Sequence, residues 1–268
     1  MNPSKRLTVA LGDGHTTRAD QWGESGPILL CVHGITSSRK SWTRLAQHFA
    51  AEYRVVAYDQ RGHGDSANVP GPMTLERSLR DLEAVVAALD APVHGLLGHS
   101  WGGAVAILGG RRIACERVVA IDPMIHQAPG TWYAEFVDDL RTLFGTPSKE
   151  RERVIRDHYA DAGWPAIEVD AKVHAMRSMT IDSIIALGQE NGVDEGKWDL
   201  RPSLRGYPKP LLLPLADQSD SVVAEADRTF VRENGGPNVK IEVFTGEGHS
   251  LQRSAFDKFA ALTAAFLR

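Results

Sequence analysis

The residue best placed to do chemistry in this chain is Ser100, in the segment Gly98-His99-Ser100-Trp101-Gly102. The pattern Gly-x-Ser-x-Gly, between an apolar run and a helical segment, is typical of a sharp strand-to-helix turn that exposes a serine hydroxyl. Glycines are needed on both sides because a Cβ there would collide with the neighbouring chain. We therefore predict that Ser100 is a nucleophile. The alternative is a plain turn in which the serine only caps the helix.

A serine hydroxyl becomes a good nucleophile only when a base removes its proton. Of the ten histidines, His249 has the best position, since GEGHSL follows the last apolar run and precedes the last helical segment. The imidazole in turn needs a carboxylate that fixes its tautomer and stabilises the imidazolium. Asp122, Asp217 and Asp220 all follow apolar runs, so the residues alone leave this carboxylate open.

The same chemistry produces an oxyanion that needs two backbone N–H donors. One is expected from Trp101, the residue after the nucleophile, and the other from Ile35, in the loop after an early apolar run. Neither assignment depends on the side chain.

The elements that must position these residues are short apolar runs that alternate with helical segments. PILLCVHG, YRVVAYD, VHGLLG, RVVAID, KPLLLPLAD and VKIEVFTG all read as buried strands. This alternation predicts an α/β fold, a mostly parallel sheet with helices on both faces. Ligands bind at the carboxyl ends of such strands, where Ser100 and His249 are expected. Residues 124–208 contain no convincing strand and are predicted to be a helical insertion.

Composition narrows the class of protein. The chain has 268 residues, a net charge of −4 and 43% hydrophobic residues, with no basic stripe for nucleic acid. Two cysteines, Cys31 and Cys115, argue against a disulfide framework. We expect a soluble, cytoplasmic protein without a signal peptide or membrane contact, since no apolar stretch is long enough. No metal or nucleotide motif is present, so no cofactor is expected. The sequence leaves open whether the chain forms a homodimer.

Five landmarks, VHGITSS, YDQRGHGDS, GHSWGG, PLADQSDSVV and GEGHSL, resemble the α/β-hydrolase fold superfamily over nearly the whole chain. The resemblance implies an eight-stranded sheet in a core of residues 1–123 and 209–268, with a helical cap at 124–208. It also implies the chain order serine, acid, histidine. The superfamily's G-x-x-D pattern falls on Asp220, which we therefore prefer as the acid, although Asp217 stands where the glycine is expected.

The resemblance implies a serine hydrolase that cleaves a small carboxylic ester or lactone through an acyl-enzyme. Carbon–carbon hydrolysis of a diketone-type compound, a cofactor-free perhydrolase and a non-catalytic receptor are the alternatives on this fold. The cap is expected to select the small-molecule substrate. The candidate substrate contacts are His33, Trp132, Tyr133, Trp164, Met176 and Arg177.

Overall fold

The computed structural model describes residues 2–130, 132–193, 195–217 and 220–268. Eight strands form one sheet in the order β1-β2-β4-β3-β5-β6-β7-β8. Among the described strands, β2 pairs antiparallel with β1 and β4, and all other pairs are parallel. The predicted eight-stranded, mostly parallel sheet is confirmed. The strands are β1 (Lys5–Ala10), β2 (Thr16–Trp22), β3 (Ile28–Val32), β4 (Arg54–Tyr58), β5 (Val93–His99), β6 (Cys115–Ile121), β7 (Leu211–Ala216) and β8 (Val239–Phe244).

Helices cover both faces of the sheet and fill the segment between β6 and β7. Short 3₁₀ helices also occur at Arg39–Trp42 and Gly64–Ser66. The α-helices are α1 (Thr43–Phe49), α2 (Leu75–Ala87), α3 (Trp101–Arg112), α4 (Tyr133–Gly145), α5 (Ser148–Asp161), α6 (Ala166–Ser178), α7 (Ile181–Glu190), α8 (Arg201–Leu204), α9 (Glu225–Asn234), α10 (Leu251–Ser254) and α11 (Phe256–Leu267).

Strand β3 shows why the central strands are continuous apolar runs. Its five residues are all fully buried, and they alternate between the two faces of the sheet. Leu30 belongs to the core under α2 and α3, whereas Leu29 belongs to the core under α1 and α11. A strand with a core on each face needs apolar residues at every position.

The predicted insertion, residues 124–208, is helical. Among its described residues the only β-type pairing is an isolated bridge between His126 and Asp199. Helices α4 to α8 lie here, at the carboxyl-end side of the sheet, and we call residues 124–208 the cap segment. The segment is tied to the core near the end of α7, where the Asn191 Oδ1 accepts from the Leu75 N–H at 2.8 Å. The division of the chain into a core and a cap domain stays a prediction.

Among the residues that the structure describes, none of the helices combines the length and the apolar character that a membrane span requires.

Candidate active site

Ser100 lies at the sharp turn between β5 and α3. Its backbone has φ 56° and ψ −119°, a conformation that costs energy for any residue with a Cβ. The turn is held because the Ser100 N–H donates to the Ile121 carbonyl at 2.9 Å. A Cβ on Gly98 would lie 2.0 Å from the Gly102 carbonyl oxygen, and one on Gly102 would lie 2.2 Å from the Val32 carbonyl oxygen. The two glycines of the motif therefore permit close backbone packing that no other residue allows.

His249 lies in the loop between β8 and α10, at the same edge of the sheet. Its Nδ1 is 2.7 Å from Oδ2 of Asp122. An ionised carboxylate only accepts hydrogen bonds, so Nδ1 carries the proton and donates it. The Nε2 atom of the neutral ring is then left with the lone pair that a general base requires.

Asp122 directly follows β6 and is completely buried. Besides the imidazole, its carboxylate accepts from the Ala216 N–H at 3.1 Å, the Ser221 hydroxyl at 2.8 Å and the Val222 N–H at 3.1 Å. A buried carboxylate is costly unless it is well hydrogen-bonded, and four donors offset that cost here. The arrangement holds the carboxylate, and through it the imidazole, in one orientation.

The structure differs from the prediction that Asp220 contacts the imidazole. Asp220 is exposed, and its Oδ2 accepts from the backbone N–H of His249 at 3.1 Å. Asp217 Oδ1 accepts from the Gly246 N–H at 2.7 Å, so both aspartates hold the backbone of the histidine loop. The physical reason lies in the sheet order. Strand β6 is the neighbour of β5, so Asp122 ends beside Ser100, whereas Asp220 lies beyond β7 under the loop.

The two residues expected to supply oxyanion donors lie on either side of Ser100. Trp101 is the first residue of α3, where N–H groups have no partner within the helix. Ile35 lies in the loop after β3 and lines the same cavity as Ser100. This loop approaches the turn closely, since a Cβ on Gly34 would lie 3.0 Å from the Ser100 Cβ. The next residue, Thr36, has φ 57° and is buried.

Ser100 and His249 open into one cavity of about 750 Å³ between the sheet edge and the cap segment, which we call the active-site cavity. Trp132 and Trp164, two of the expected substrate contacts, line it. Its wall contains both aromatic and polar residues, as do sites that bind small molecules. The other lining side chains on the cap segment include Glu135, Phe136, Asp139, His158, Tyr159 and Lys172.

The four remaining expected contacts lie elsewhere. His33 is fully buried, where its Nε2 accepts from the Gln60 N–H at 3.0 Å and the ring braces a loop. Tyr133 is buried against α7, and its hydroxyl donates to the Ile184 carbonyl at 2.5 Å. Met176 packs in the apolar core, and the exposed Arg177 forms an ion pair with Glu152. On a helix, neighbouring residues face different directions, so aromatic content alone does not indicate which side chains reach a cavity.

His99, the neighbour of the nucleophile, packs against the histidine loop. Its Nε2 is 2.9 Å from the His249 carbonyl oxygen, so Nε2 carries a proton and donates it. The two rings lie 4.6 Å apart between centroids. Burial, followed by the nearby His249, lowers the pKa of His99 well below its usual value, so the ring stays neutral at neutral pH. His99 therefore acts as a neutral donor that fixes the backbone of His249.

Several polar residues of the cavity were not among the expected substrate contacts, and Thr36, Lys172 and Arg253 are three of them. Thr36 follows the predicted oxyanion residue Ile35, which was a local signal. Lys172 and His174 are the two basic residues of the segment Val169–Met176 of α6, in which all other residues except Asp170 are apolar. A lysine at such a position needs a polar surrounding, and that could have marked it as a candidate.

The sequence model of the alpha/beta hydrolase family matches residues 29–262. The chain belongs to the alpha/beta hydrolase family. The match spans the residues from β3 to α11, including Ser100, Asp122 and His249.

Relatives in this family carry different activities in their names. The chain is 26% identical over 259 residues to a dihydrolipoyllysine-residue acetyltransferase component of an acetoin cleaving system of Pseudomonas putida, covering 92% of this chain and 65% of that protein. It is 31% identical over 160 residues to a lipase of Mycobacterium tuberculosis, of which it covers 60%. The chain thus spans less than two thirds of these first relatives. An N-formylmaleamate deformylase of Pseudomonas putida is 25% identical, with 92% of this chain and 91% of that protein covered.

Solved structures of other hydrolases share the family's fold. An E-2-(acetamidomethylene)succinate hydrolase has a TM-score of 0.77 at 23% identity and covers 98% of both chains. An enol-lactonase of Burkholderia xenovorans has a TM-score of 0.73 at 19% identity, covering 98% of this chain and 99% of that one. Identities this low establish the common fold only.

Proposed function

We propose that this protein is a serine hydrolase that cleaves a small carboxylic ester or lactone through an acyl-enzyme at Ser100. The observation that carries the proposal is the 2.7 Å contact between His249 Nδ1 and the buried Asp122, in a cavity that also contains Ser100. With Nδ1 protonated, Nε2 is free to accept the serine proton. The acid in this proposal is Asp122, in place of Asp220.

In the proposed reaction Ser100 Oγ attacks the substrate carbonyl carbon while its proton passes to His249 Nε2. The carbonyl oxygen becomes an oxyanion that accepts from the N–H groups of Ile35 and Trp101. When the tetrahedral intermediate collapses, the carbon–oxygen bond to the leaving group breaks and the imidazolium protonates that oxygen. His249 then deprotonates a water molecule, which attacks the acyl-enzyme. When the ester bond to Ser100 breaks, the imidazolium returns the proton to the serine oxygen. This cycle requires no cofactor.

Labelling with a fluorophosphonate tests the proposal, because the reagent reacts only with an activated serine. We expect modification of Ser100, mapped by mass spectrometry, and no modification of a His249→Ala variant. Turnover of p-nitrophenyl esters or of small lactones, lost in Ser100→Ala, then identifies the bond that is cleaved. Absence of labelling and of turnover, with tight binding of a small molecule, would favour the receptor alternative.

Hydrolysis of an amide is a second candidate. The relative that matches along almost its whole length is named a deformylase, an enzyme that removes a formyl group. The same residues suffice for an amide, because the imidazolium protonates the leaving nitrogen. Faster turnover of an N-formyl amide than of the matched formate ester would favour this candidate. Vinylogous diketones, and acetate with peroxide, test the carbon–carbon hydrolase and perhydrolase alternatives in the same panel.

A further inference from the structure

Lys172 places a cationic group on the inner wall of the active-site cavity. It lies on α6 of the cap segment, and its Nζ donates to the Thr36 carbonyl at 3.1 Å and to the Thr36 hydroxyl at 2.8 Å. The Nζ also lies 5.5 Å from the centre of the Tyr159 ring. Thr36 is the neighbour of Ile35, so the ammonium group lies beside the proposed oxyanion loop.

This ammonium group has no carboxylate partner within the part of the chain that the structure describes. The groups that act on it electrostatically are Tyr159 and Arg253, and its hydrogen-bond acceptors are neutral oxygens. Burial lowers the pKa of Lys172, because the ammonium loses hydration that these neutral groups replace only in part. A negatively charged group bound beside Lys172 would therefore stabilise the ammonium group.

The neighbouring cation is already compensated. Arg253 is buried, and its Nε lies 3.4 Å from Oε2 of the buried Glu168. Its guanidinium stacks on Trp164, with the Cζ atom 4.6 Å from the ring centre. The Glu168 carboxyl group, whose pKa is raised by burial, lies beside Arg253, whereas no carboxylate of the described residues forms an ion pair with Lys172.

The acidic residues of the cavity do not offset that charge. Glu135 and Asp139 lie on α4 with exposed side chains, where water screens them. Asp220 is exposed and bonded to the His249 N–H, and Glu247 accepts from the Ser254 hydroxyl. Three of these four acidic side chains are exposed, whereas Glu247 and Lys172 are half-buried.

We infer that the substrate carries a carboxylate group that binds the Lys172 ammonium beside Thr36. A carboxylate supplies an ionised acceptor in place of a neutral one, so that both partners of the hydrogen bond are charged and the bond is stronger. This inference rests on the proposed function, since it names the substrate class of the same site. The substrate is then a monoester or monoamide of a dicarboxylic acid, or a lactone of a hydroxydicarboxylic acid, with the second carboxylate left free.

Matched esters test the inference. The anionic probes are the mono-p-nitrophenyl esters of succinate, glutarate and adipate, and the neutral probes are p-nitrophenyl esters of monocarboxylic acids of equal chain length. We expect the wild-type protein to have the higher kcat/KM on at least one anionic ester. Lys172→Met should lower kcat/KM for that ester roughly 10–100-fold, which is the usual range for a charged hydrogen bond. The rates on the neutral esters should change less than about threefold.

Lys149→Met is the matched control, because it removes the same charge from an exposed position on α5 outside the cavity. It should leave both kinds of rate unchanged, whereas Lys172→Arg should restore part of the preference for the anionic ester. An equal fall on anionic and neutral esters in Lys172→Met would overturn the inference, since it would mean that Lys172 only holds the Thr36 loop. So would the absence of any anionic preference in the wild-type protein.

Binding separates this inference from the proposed reaction. In Ser100→Ala, glutarate should bind measurably by calorimetry, and the further change Lys172→Met should weaken that binding roughly 10-fold or more. If the wild-type protein cleaves none of the esters but glutarate binding depends on Lys172, the hydrolase proposal fails and the carboxylate site stands. If neutral esters are cleaved and glutarate binds equally with and without Lys172, the hydrolase proposal stands and the carboxylate site fails.

Discussion

On the sheet side of the active-site cavity, backbone atoms set the positions, whereas on the cap side the positions depend on side chains. The Ser100 turn is formed by carbonyl oxygens that approach Gly98 and Gly102 more closely than any Cβ allows. On the cap side, the rings of Tyr159 and Trp164 pack against each other at a tilt of 33°, with 4.2 Å between their centres, and Arg253 in turn covers Trp164. These rings keep their place by packing, and other side chains could replace them.

This contrast indicates where substitutions are tolerated. A strained backbone turn has a single allowed conformation, because neighbouring strands that cannot move separately hold it in place. A helical wall of exchangeable side chains can alter the size and charge of the cavity while the helices stay in place. The relatives are consistent with this view, since two of them are named a lipase and a deformylase.

The largest expected effect comes from the carboxylate on the sheet side. Asp122→Asn should lower kcat about 10⁴-fold, because an amide cannot fix the imidazole tautomer with Nδ1 protonated. Asp220→Asn should lower it less than about 10-fold, since among the described residues that side chain accepts from the backbone N–H of His249 and not from its ring. Steady-state kinetics on the best p-nitrophenyl ester measures both.

Circular dichroism and thermal unfolding of both variants serve as the control that they fold. A severe loss in Asp220→Asn together with a mild one in Asp122→Asn would reverse the assignment. Similar, moderate losses in both would mean that the loop position, and no single carboxylate, limits the rate.

A second prediction compares glycines from the two sides by stability. Gly102→Ala places a Cβ 2.2 Å from the Val32 carbonyl oxygen and 2.4 Å from that of His33, so the turn must distort. We expect a loss in the free energy of unfolding of about 3 kcal/mol or more, or no folded protein at all. Gly145→Ala, at the end of α4 with no atom within 4 Å of the added Cβ, should change stability by less than about 1 kcal/mol, in the stabilising direction.

Urea unfolding at neutral pH measures both glycine variants. If Gly102→Ala unfolds at the same urea concentration as the wild-type protein, then the backbone of the turn is less constrained than its geometry indicates. A comparable loss for Gly145→Ala would remove the contrast between the two sides.

Much of the sheet side was predictable from the sequence because its signals are local. A Gly-x-Ser-x-Gly pattern after an apolar run specifies a turn within five residues, and a histidine after the last strand lies at the same edge. The choice of Asp122 over Asp220 was different. It depends on which of two strand ends, that of β6 or that of β7, the fold brings to the imidazole, and Asp122 lies 127 positions from His249 in the chain. The family pattern favoured Asp220, but the structure uses that aspartate to hold the loop.

The cap side was less predictable, because helix formation does not specify which face meets the cavity. Trp132 and Tyr133 are neighbours in the chain, yet Trp132 lines the cavity while Tyr133 is buried against α7. Lys172 shows the same limit, since its surroundings come from Thr36, 136 positions away. Long-range packing decides such contacts, and composition does not.

The smallest expected effect concerns the pH dependence of stability. On the sheet side His33 and His63 are buried with ring centres 5.2 Å apart, and burial lowers the pKa of each below the usual 6.5. Near pH 6.5, therefore, these two rings bind protons in the unfolded chain but stay neutral in the folded chain. Their contribution to stability is complete above pH 6.5 and is lost as pH falls below it, by at most about 1.4 kcal/mol per pH unit for each ring.

His63→Gln should reduce the fall in the free energy of unfolding between pH 7 and 5. Urea titrations at each pH measure this free energy. His158→Gln, at an exposed position on α5, should leave the slope as in the wild-type protein. A slope that responds to His158 and not to His63 would place the pH-sensitive groups on the cap side and contradict this account.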